Sequence, residues 1–431
     1  MNAGSQRPAF FYGKPVVHCS MNIKGILRKI TPRFLLKTYH YKLALIGAFA
    51  YGFPSRKLTV IGVTGTSGKS TTVDFITRIF EENGDKVASM STVRFKIGEK
   101  EWKNQLKMTM PGRMKIQKFL KQAADAQCKY AVIEVTSEGI AQFRHKFIDF
   151  DAAVFTNLTP EHIESHGSFE QYRKEKLKLF SGTKNIHIIN ADDENARHFL
   201  AIPAKDVVTF GIKNPADVKP ENVSTKQGIS FSVKGIDFAM PLIGSFNAYN
   251  ALAAIAVATA KGVPLHTCKA ALEKVQAIPG RMEIVSKNPL TIVDYAHTPE
   301  QLELTYQSLK DRPLVCVLGS CGGGRDKWKR PVLGEIAGRY CKEIIITNED
   351  PYDEDPMEII DQVAKGAGGR AQKVPDRREA IRKAFSLTKD METIIITGKG
   401  SETVMCVSEG RKILWSDRET VIDELKNRHL G

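Results

Sequence analysis

Val60-Ile61-Gly62-Val63-Thr64-Gly65-Thr66-Ser67-Gly68-Lys69-Ser70-Thr71-Thr72 decides how the rest of the chain is read. An apolar, β-rich run enters a glycine-rich turn, and Gly68-Lys69-Ser70 opens a helical pattern that continues to 83. Glycines in such a turn let successive backbone N–H groups point inward at a polyphosphate, at the positive end of the helix. Lys69 is then placed to reach the β- and γ-phosphates, and the Ser70 hydroxyl to ligate Mg²⁺. Val63 stands where the usual phosphate-loop spacing has its first glycine, so a purely structural glycine turn is the alternative. Binding of ATP or GTP follows from this reading; the reaction does not.

Outward from this turn the chain alternates strand and helix. Apolar β-rich runs at 58–64, 130–135, 151–156, 185–190 and 206–210 are separated by helical patterns such as 70–83 and 114–126. That is the pattern of a parallel sheet covered by helices. The polar stretch 213–241 reads as antiparallel strands, followed by helices at 247–261 and 265–277. A second alternation begins at Leu290, with strands at 290–294, 313–318, 343–347 and 393–397 and helices at 299–310, 329–341, 355–366 and 376–387. The expected fold is α/β: a central P-loop parallel-sheet ATPase domain plus a C-terminal Rossmann-like α/β domain. The expected organisation is 1–57, 58–281 and 282–431.

Composition narrows the class. The chain has 431 residues, 42% hydrophobic and 26% charged, which suits a soluble globular protein of two or three domains. Its seven cysteines form no CxxC pair, as expected for reduced thiols in a cytoplasmic protein. The net charge is +15, yet residues 1–57 hold ten basic residues and no acidic one. The excess therefore sits on one terminal segment rather than on a folded basic face, and no nucleic-acid partner is expected. Residues 1–20 show no periodicity, and Met21 is an alternative start. From Ile23, apolar and basic residues recur at helical spacing, restarting after Pro32. Two readings stay open for 21–57: an arm packed on the next domain, or a basic amphipathic helix on anionic lipid. No secretory cleavage site follows the short apolar run.

Polar residues gather at the expected C-terminal ends of strands, where open α/β sheets place their sites. Glu134 follows one strand; Thr156, Asn157, His162 and His166 follow another; Asp294 and His297 follow a third. Singly, each is a candidate ligand or an ordinary cap or loop residue. The glycine-rich, cationic loop 319–330 reads as an anion site or as a solvated basic loop.

Together these segments resemble the Mur ligase family, the ATP-dependent amide-forming enzymes of peptidoglycan precursor synthesis, and within it the muramoyl-tripeptide synthetase branch. Besides 60–72, the matching motifs are VIEVTSEGIAQFR (132–144), FTNLTPEHIESHGSFEQYRKEKLKLF (155–180), GSFNAYNALAA (244–254), PGRME (279–283), VDYAHTPEQLE (293–303), GSCGGGRDKWKRP (319–331) and ITGKGSE (396–402). Eight motifs in this order are far more specific than any one. The resemblance implies that Gly65, Thr66, Ser67, Gly68, Lys69, Ser70 and Thr71 cradle ATP. Asn247 and Asn250 would approach the adenine, and Arg281 and Asp294 would contact phosphate and ribose. It also implies that Ser70 and Glu134 hold one Mg²⁺, that His162 contributes to a second, and that Lys176 is carbamylated to add a metal-binding carboxylate. Thr109, Met110, Thr136, Gln142 and Arg144 would contact the muramoyl-peptide acceptor. Arg325, Glu349, Asp350, Pro351, Tyr352, Gly398 and Glu402 would contact the incoming amino acid. Lys69, Glu134, His162 and Lys176 form the implied catalytic set, in a monomer acting on small molecules.

Three departures bear on substrate. Residues 43–57 match only the end of the uridine-nucleotide domain that the branch carries ahead of its sheet. The diaminopimelate pattern Asp-Asn-Pro-Arg reads Glu349-Asp350-Pro351-Tyr352, replacing a guanidinium with a phenol. The family's SSH and GKGHE read Thr136-Ser137-Glu138 and GKGSE. The expected reaction adds an amino acid, lysine or diaminopimelate, to a UDP-MurNAc-dipeptide acceptor through an acyl phosphate. The alternatives are a ligase of this fold with a lipid-linked or polyglutamyl acceptor, and a noncatalytic ATP-binding partner of a cell-wall protein.

Overall fold

In the computed structural model, residues 16–17, 32–106 and 108–429 are described. The sequence readings for 1–15 and 18–31 lie outside them. An eight-stranded sheet forms the first lobe, in the spatial order Lys100–Lys103, Arg94–Ile97, Val87–Met90, Tyr130–Glu134, Thr59–Thr64, Phe150–Phe155, Ile186–Asn190 and Asp206–Phe210. The inner strands are parallel, and the first two form an antiparallel edge. Alternate side chains of a strand face opposite ways, so Ile61 and Val63 enter one core while Val60 enters another. The helices Lys69–Glu82 and Phe246–Ala260 cover the first face, and Arg113–Asp125 and Phe169–Gly182 the second. Glu221–Ser224, Ile229–Val233 and Ile236–Met240 form a three-stranded antiparallel sheet, as the polar stretch implied.

The second lobe has six strands, ordered Glu283–Lys287, Leu290–Val293, Thr393–Ile396, Leu314–Leu318, Cys341–Ile346 and Ala371–Lys373. Only the first pair is antiparallel. The strand that comes late in the chain, Thr393–Ile396, inserts between two earlier ones, and the loop after it sets Gly398 against Glu349 and Glu402 3.4 Å from the Tyr295 hydroxyl. A hairpin of Val404–Cys406 and Lys412–Leu414 follows, and Val16–Val17 pairs antiparallel with its outer strand. Sequence periodicity alone misses the edge strands 94–103 and this hairpin: segments such as Lys-Glu-Trp-Lys are short, polar and paired on one side only.

The helix Arg33–Ala50 packs against Arg113–Asp125 through Ala44, Gly47 and Ala48. A Cβ at Gly47 would stand 3.0 Å from the Met114 sulfur, so the two helices meet closely here. The packed-arm reading therefore holds for one face of this helix.

A buried ion pair fixes the loops that carry the second lobe's polar residues. Arg377 donates to Asp417 through Nε at 2.8 Å and Nη2 at 2.7 Å, and Nη2 also donates to the Thr397 carbonyl at 2.8 Å. Both side chains are fully buried. Breaking such a pair strands a charge, at a cost of about 3–5 kcal/mol. Asp417→Ala is expected to lose stability of this order in urea unfolding followed by second-lobe probes; an unchanged midpoint would disprove it.

Candidate active site

The C-terminal ends of both sheets open onto one cleft of about 730 Å³. On the first-lobe side, Gly65 to Gly68 connect the central strand to the helix that Lys69 and Ser70 open. A Cβ at Gly65 would fall 1.9 Å from the Thr156 hydroxyl oxygen, and one at Gly68, whose φ is 79°, 2.3 Å from Asn250 Oδ1. Both positions therefore require glycine. Thr156 and Asn157, at the end of the neighbouring strand, pin the loop. Ser67 N donates to Asn157 Oδ1 at 2.8 Å, and Thr156 Oγ1 donates to the Ser67 carbonyl at 2.7 Å. Position after a strand marked these two residues as candidates; only the tertiary structure reveals their positioning role.

Lys69 Nζ donates to the Thr66 carbonyl at 2.7 Å. Burial lowers its pKa, against the opposing carboxylates of Glu134 and Glu161. Ser70 Oγ donates to Glu134 Oε2 at 2.7 Å, and Thr92 N donates to the same oxygen at 2.9 Å. Glu134 is 2% exposed, so a hydroxyl and a buried carboxylate converge beside the phosphate-binding turn. This hard-oxygen pair fits a magnesium ion shared with phosphates. Across the cleft, Arg281 Nη2 lies 3.5 Å from Ser70 Oγ, with its guanidinium 4.2 Å from the Tyr295 ring centroid.

Lys176, 1% exposed, stands behind the loop rather than in the cleft wall. Its ammonium donates to the Gly65 carbonyl at 2.7 Å. Burial, with Lys69 adding repulsion, holds its pKa well below the ordinary lysine value. Asn247 is likewise behind the wall: Asn250 Nδ2 donates to its Oδ1 at 3.1 Å. Asp294 lines the cleft, but its carboxylate accepts from Met282 N at 2.7 Å and Ala296 N at 2.8 Å.

His162, at φ 57°, lies 3.7 Å from Glu138 and 3.8 Å from Glu161. Burial lowers its pKa, opposed by those carboxylates. Glu161 escaped the sequence reading. Burial raises its pKa, but His162, His297 and Lys329 outweigh that and hold it well below the usual carboxylate range. His297 Nε2 is 3.2 Å from Glu161 across the lobes. The available signal was adjacency: Glu161 immediately precedes His162. Asp326 accepts from Glu164 N at 2.9 Å, and Lys327 N donates to Glu164 at 2.8 Å, joining the lobes again.

Thr109, Met110, Thr136 and Arg144 line the cleft, whereas Gln142 sits outside it and accepts from Arg144 at 2.9 Å. Thr136 also caps the short helix Ser137–Ala141. Arg325, Glu349, Asp350, Tyr352, Gly398 and Glu402 line the second-lobe side; Pro351 backs the loop, its carbonyl lying against Gly322. Lys399, absent from the sequence-derived set, donates to both Asp350 oxygens at 2.9 Å and to Glu402 at 2.7 Å. The acidic run 349–355 is thus mostly compensated. Arg330 and Lys327 pair with Glu354, Asp353 accepts from Glu409 N, and Asp355 caps a helix. Glu349 differs. Its Oε1 accepts from Cys321 Sγ at 2.9 Å, while its buried Oε2 has no partner among the described residues. Cys321, Glu349 and Asp350 are close enough to share a cation, but Lys399 already supplies one to Asp350.

A phosphate-binding loop on one α/β lobe faces a charged pocket on a second, so the site is a nucleotide-binding cleft to which both lobes contribute. Residues 63–258 match the Mur ligase middle domain, and 280–400 the Mur ligase, glutamate ligase domain. The chain is 41% identical over 394 residues to a UDP-N-acetylmuramyl-tripeptide synthetase of Roseiflexus sp. (strain RS-1), covering 84% of this chain and 77% of the relative. It is 37% identical to a UDP-N-acetylmuramoyl-L-alanyl-D-glutamate–2,6-diaminopimelate ligase of Halalkalibacterium halodurans, covering 92% and 84%. A solved diaminopimelate ligase superposes with a TM-score of 0.58 at 29% identity, covering 86% and 79% of the two chains. Folylpolyglutamate synthase of Mycobacterium tuberculosis shares the fold at TM-score 0.69 and 19% identity, covering 87% and 94%. The chain belongs to the Mur ligase family. It is an ATP-dependent amide-bond ligase, and the family's use of ATP and Mg²⁺ agrees with the loop and the Ser70–Glu134 pair.

Proposed function

We propose that this ligase adds an amino acid to the carboxylate of a UDP-MurNAc-dipeptide acceptor in peptidoglycan precursor synthesis. The observation that carries the proposal is that the phosphate loop, the acceptor-side residues and the Glu349 pocket all line one cleft. Gly65 to Thr71 cradle ATP, Asn250 approaches the base with Asn247 behind it, and Arg281 reaches toward the phosphates. Asp294 is assigned to the ribose side; its carboxylate is held by Met282 N and Ala296 N.

A carboxylate is a poor electrophile, so the acceptor carboxylate attacks the γ-phosphorus and ADP leaves, giving an acyl phosphate. Lys69 offsets the negative charge that builds during transfer. Ser70 and Glu134, with His162, would hold magnesium, which supplies Lewis-acid charge to the phosphates when bound. The incoming amine then forms the C–N bond as phosphate leaves. Thr109, Met110, Thr136 and Arg144, braced by Gln142, hold the acceptor. Closure of the second lobe along the contacts of Asp326, Glu164 and Glu161 would keep out water that hydrolyses the acyl phosphate. Lys176 is assigned a carbamate: a buried amine with a lowered pKa is neutral more often, and the neutral form reacts with carbon dioxide. Both cleft walls come from one chain, which supports a monomer as the acting unit.

On the amino-acid side, Arg325 takes the α-carboxylate and the unpartnered Glu349 oxygen takes a side-chain ammonium. Pro351, Gly398 and Glu402 frame this end, and Asp350 is neutralised by Lys399. Tyr352 stands where the diaminopimelate pattern has an arginine, so a second substrate carboxylate lacks its bidentate partner. The expected preference is for L-lysine or a similar basic amino acid over meso-diaminopimelate. Phosphate release, screened over acceptors and amino acids, tests the whole reading. Release should require both co-substrates, and Tyr352→Arg should shift the ratio toward diaminopimelate. Faster use of diaminopimelate by the unaltered protein would sink the charge assignment but not the ligase.

A further inference from the structure

The outward face of the helix Arg33–Ala50 plays no part in the chemistry. Leu35, Tyr39, Lys42, Ile46 and Phe49 recur at steps of four, three, four and three, which places them on one stripe of a helix. Leu35 is 47% exposed, Tyr39 58%, Ile46 56% and Phe49 77%. Ala44, Gly47 and Ala48, on the opposite side, already meet the neighbouring helix. Tyr41, 43% exposed, lies off this stripe and meets Phe143 and Phe147 edge-on. The helix is thus packed on one side and apolar on the other.

We propose that this outer stripe docks on an anionic lipid surface. Charge singles out that occupant. The helix contains no acidic residue, residues 1–57 contain none, and the first in the chain is Asp74. Lys42 lies within the stripe itself. Against a second copy of this chain, a two-fold contact would face the same stripe to itself, setting Lys42 near Lys42 with no carboxylate to pair. At a membrane interface, the lysine stem lies along the apolar face while its ammonium reaches lipid phosphate. Tyr39 supplies an aromatic ring with a polar tip, suited to the headgroup level. Among the described residues no helix is long and apolar enough to cross a membrane, so the helix lies on the surface rather than spanning it.

Vesicle co-sedimentation of the full chain tests this, with phosphatidylglycerol–phosphatidylcholine mixtures beside pure phosphatidylcholine. Binding should be at least about tenfold tighter on the anionic vesicles and should weaken as salt rises. Ile46→Asp with Phe49→Asp should abolish it, and Lys42→Glu should weaken it several-fold while leaving the apolar stripe in place. All these positions are exposed and remote from the cleft, so ligation of soluble substrates should be unchanged, which also verifies folding. Equal binding to both vesicle types, or no loss in the variants, overturns the proposal. So does a concentration-dependent dimer, seen by analytical ultracentrifugation, that the double substitution dissociates: the occupant would then be a second copy.

Discussion

Lys69→Ala is expected to lower ATP-dependent ligation by about 10²–10³-fold or more while leaving the protein folded. The ammonium is held at the start of the helix, where the Thr66 carbonyl at 2.7 Å orients it. Burial lowers its pKa, so its charge is costly until a polyphosphate arrives and makes the protonated form favourable. Removing one preorganised charge from a transition state of this kind costs about 2.7–4 kcal/mol. Glu134→Ala should be comparable, because it removes a buried oxygen ligand and leaves Ser70 Oγ and Thr92 N without their shared acceptor. Single-turnover phosphate release and melting temperature, measured together, separate lost chemistry from lost fold. Near-normal turnover in either variant would remove the proposed site.

The second large effect concerns Lys176. Lys176→Ala should also reduce ligation by about 10²-fold or more, since it takes away both a buried group on the loop and the carboxylate its carbamate would supply. The two contributions are separable. A plain lysine acts through its hydrogen bond to the Gly65 carbonyl, at 2.7 Å, and no small carboxylate replaces that. A carbamate acts through a charge and two oxygens, so acetate or formate should partly restore the alanine variant. Buffer stripped of carbon dioxide should slow the unaltered protein, and bicarbonate should restore it. If depletion and carboxylate rescue both fail, Lys176 works as an amine and the carbamate assignment falls. The surrounding charges agree with reversible modification: burial and the nearby Lys69 disfavour an ammonium at this position.

Much of the cleft was legible because its parts are local. Gly65 to Ser70 are consecutive residues at a strand-to-helix junction, so their phosphate-binding chemistry reads directly from the residues, although Thr156 and Asn157 hold the turn in place. Glu134 ends one apolar strand, His162 and Asp294 follow others, and open α/β sheets gather strand ends at one edge. The strand Thr393–Ile396 was equally clear as an element, but its insertion between two earlier strands was not. That insertion sets Lys399 between Asp350 and Glu402, and turns an acidic run into a pocket with one uncompensated oxygen.

The sequence by itself therefore determined the two α/β lobes, the phosphate-binding turn and the family, since periodicity, turn residues and ordered motifs are properties of neighbours along the chain. Only the tertiary structure decided which charges are compensated and by what. Glu161 meets His297 from the other lobe, Asp326 caps a segment more than a hundred residues away, and Lys176 reaches back to Gly65. It also decided which side of the helix Arg33–Ala50 is covered, because an amphipathic pattern names an apolar face but not its partner. Coulomb energies and burial depend on separation through space, and no spacing along a sequence encodes that distance.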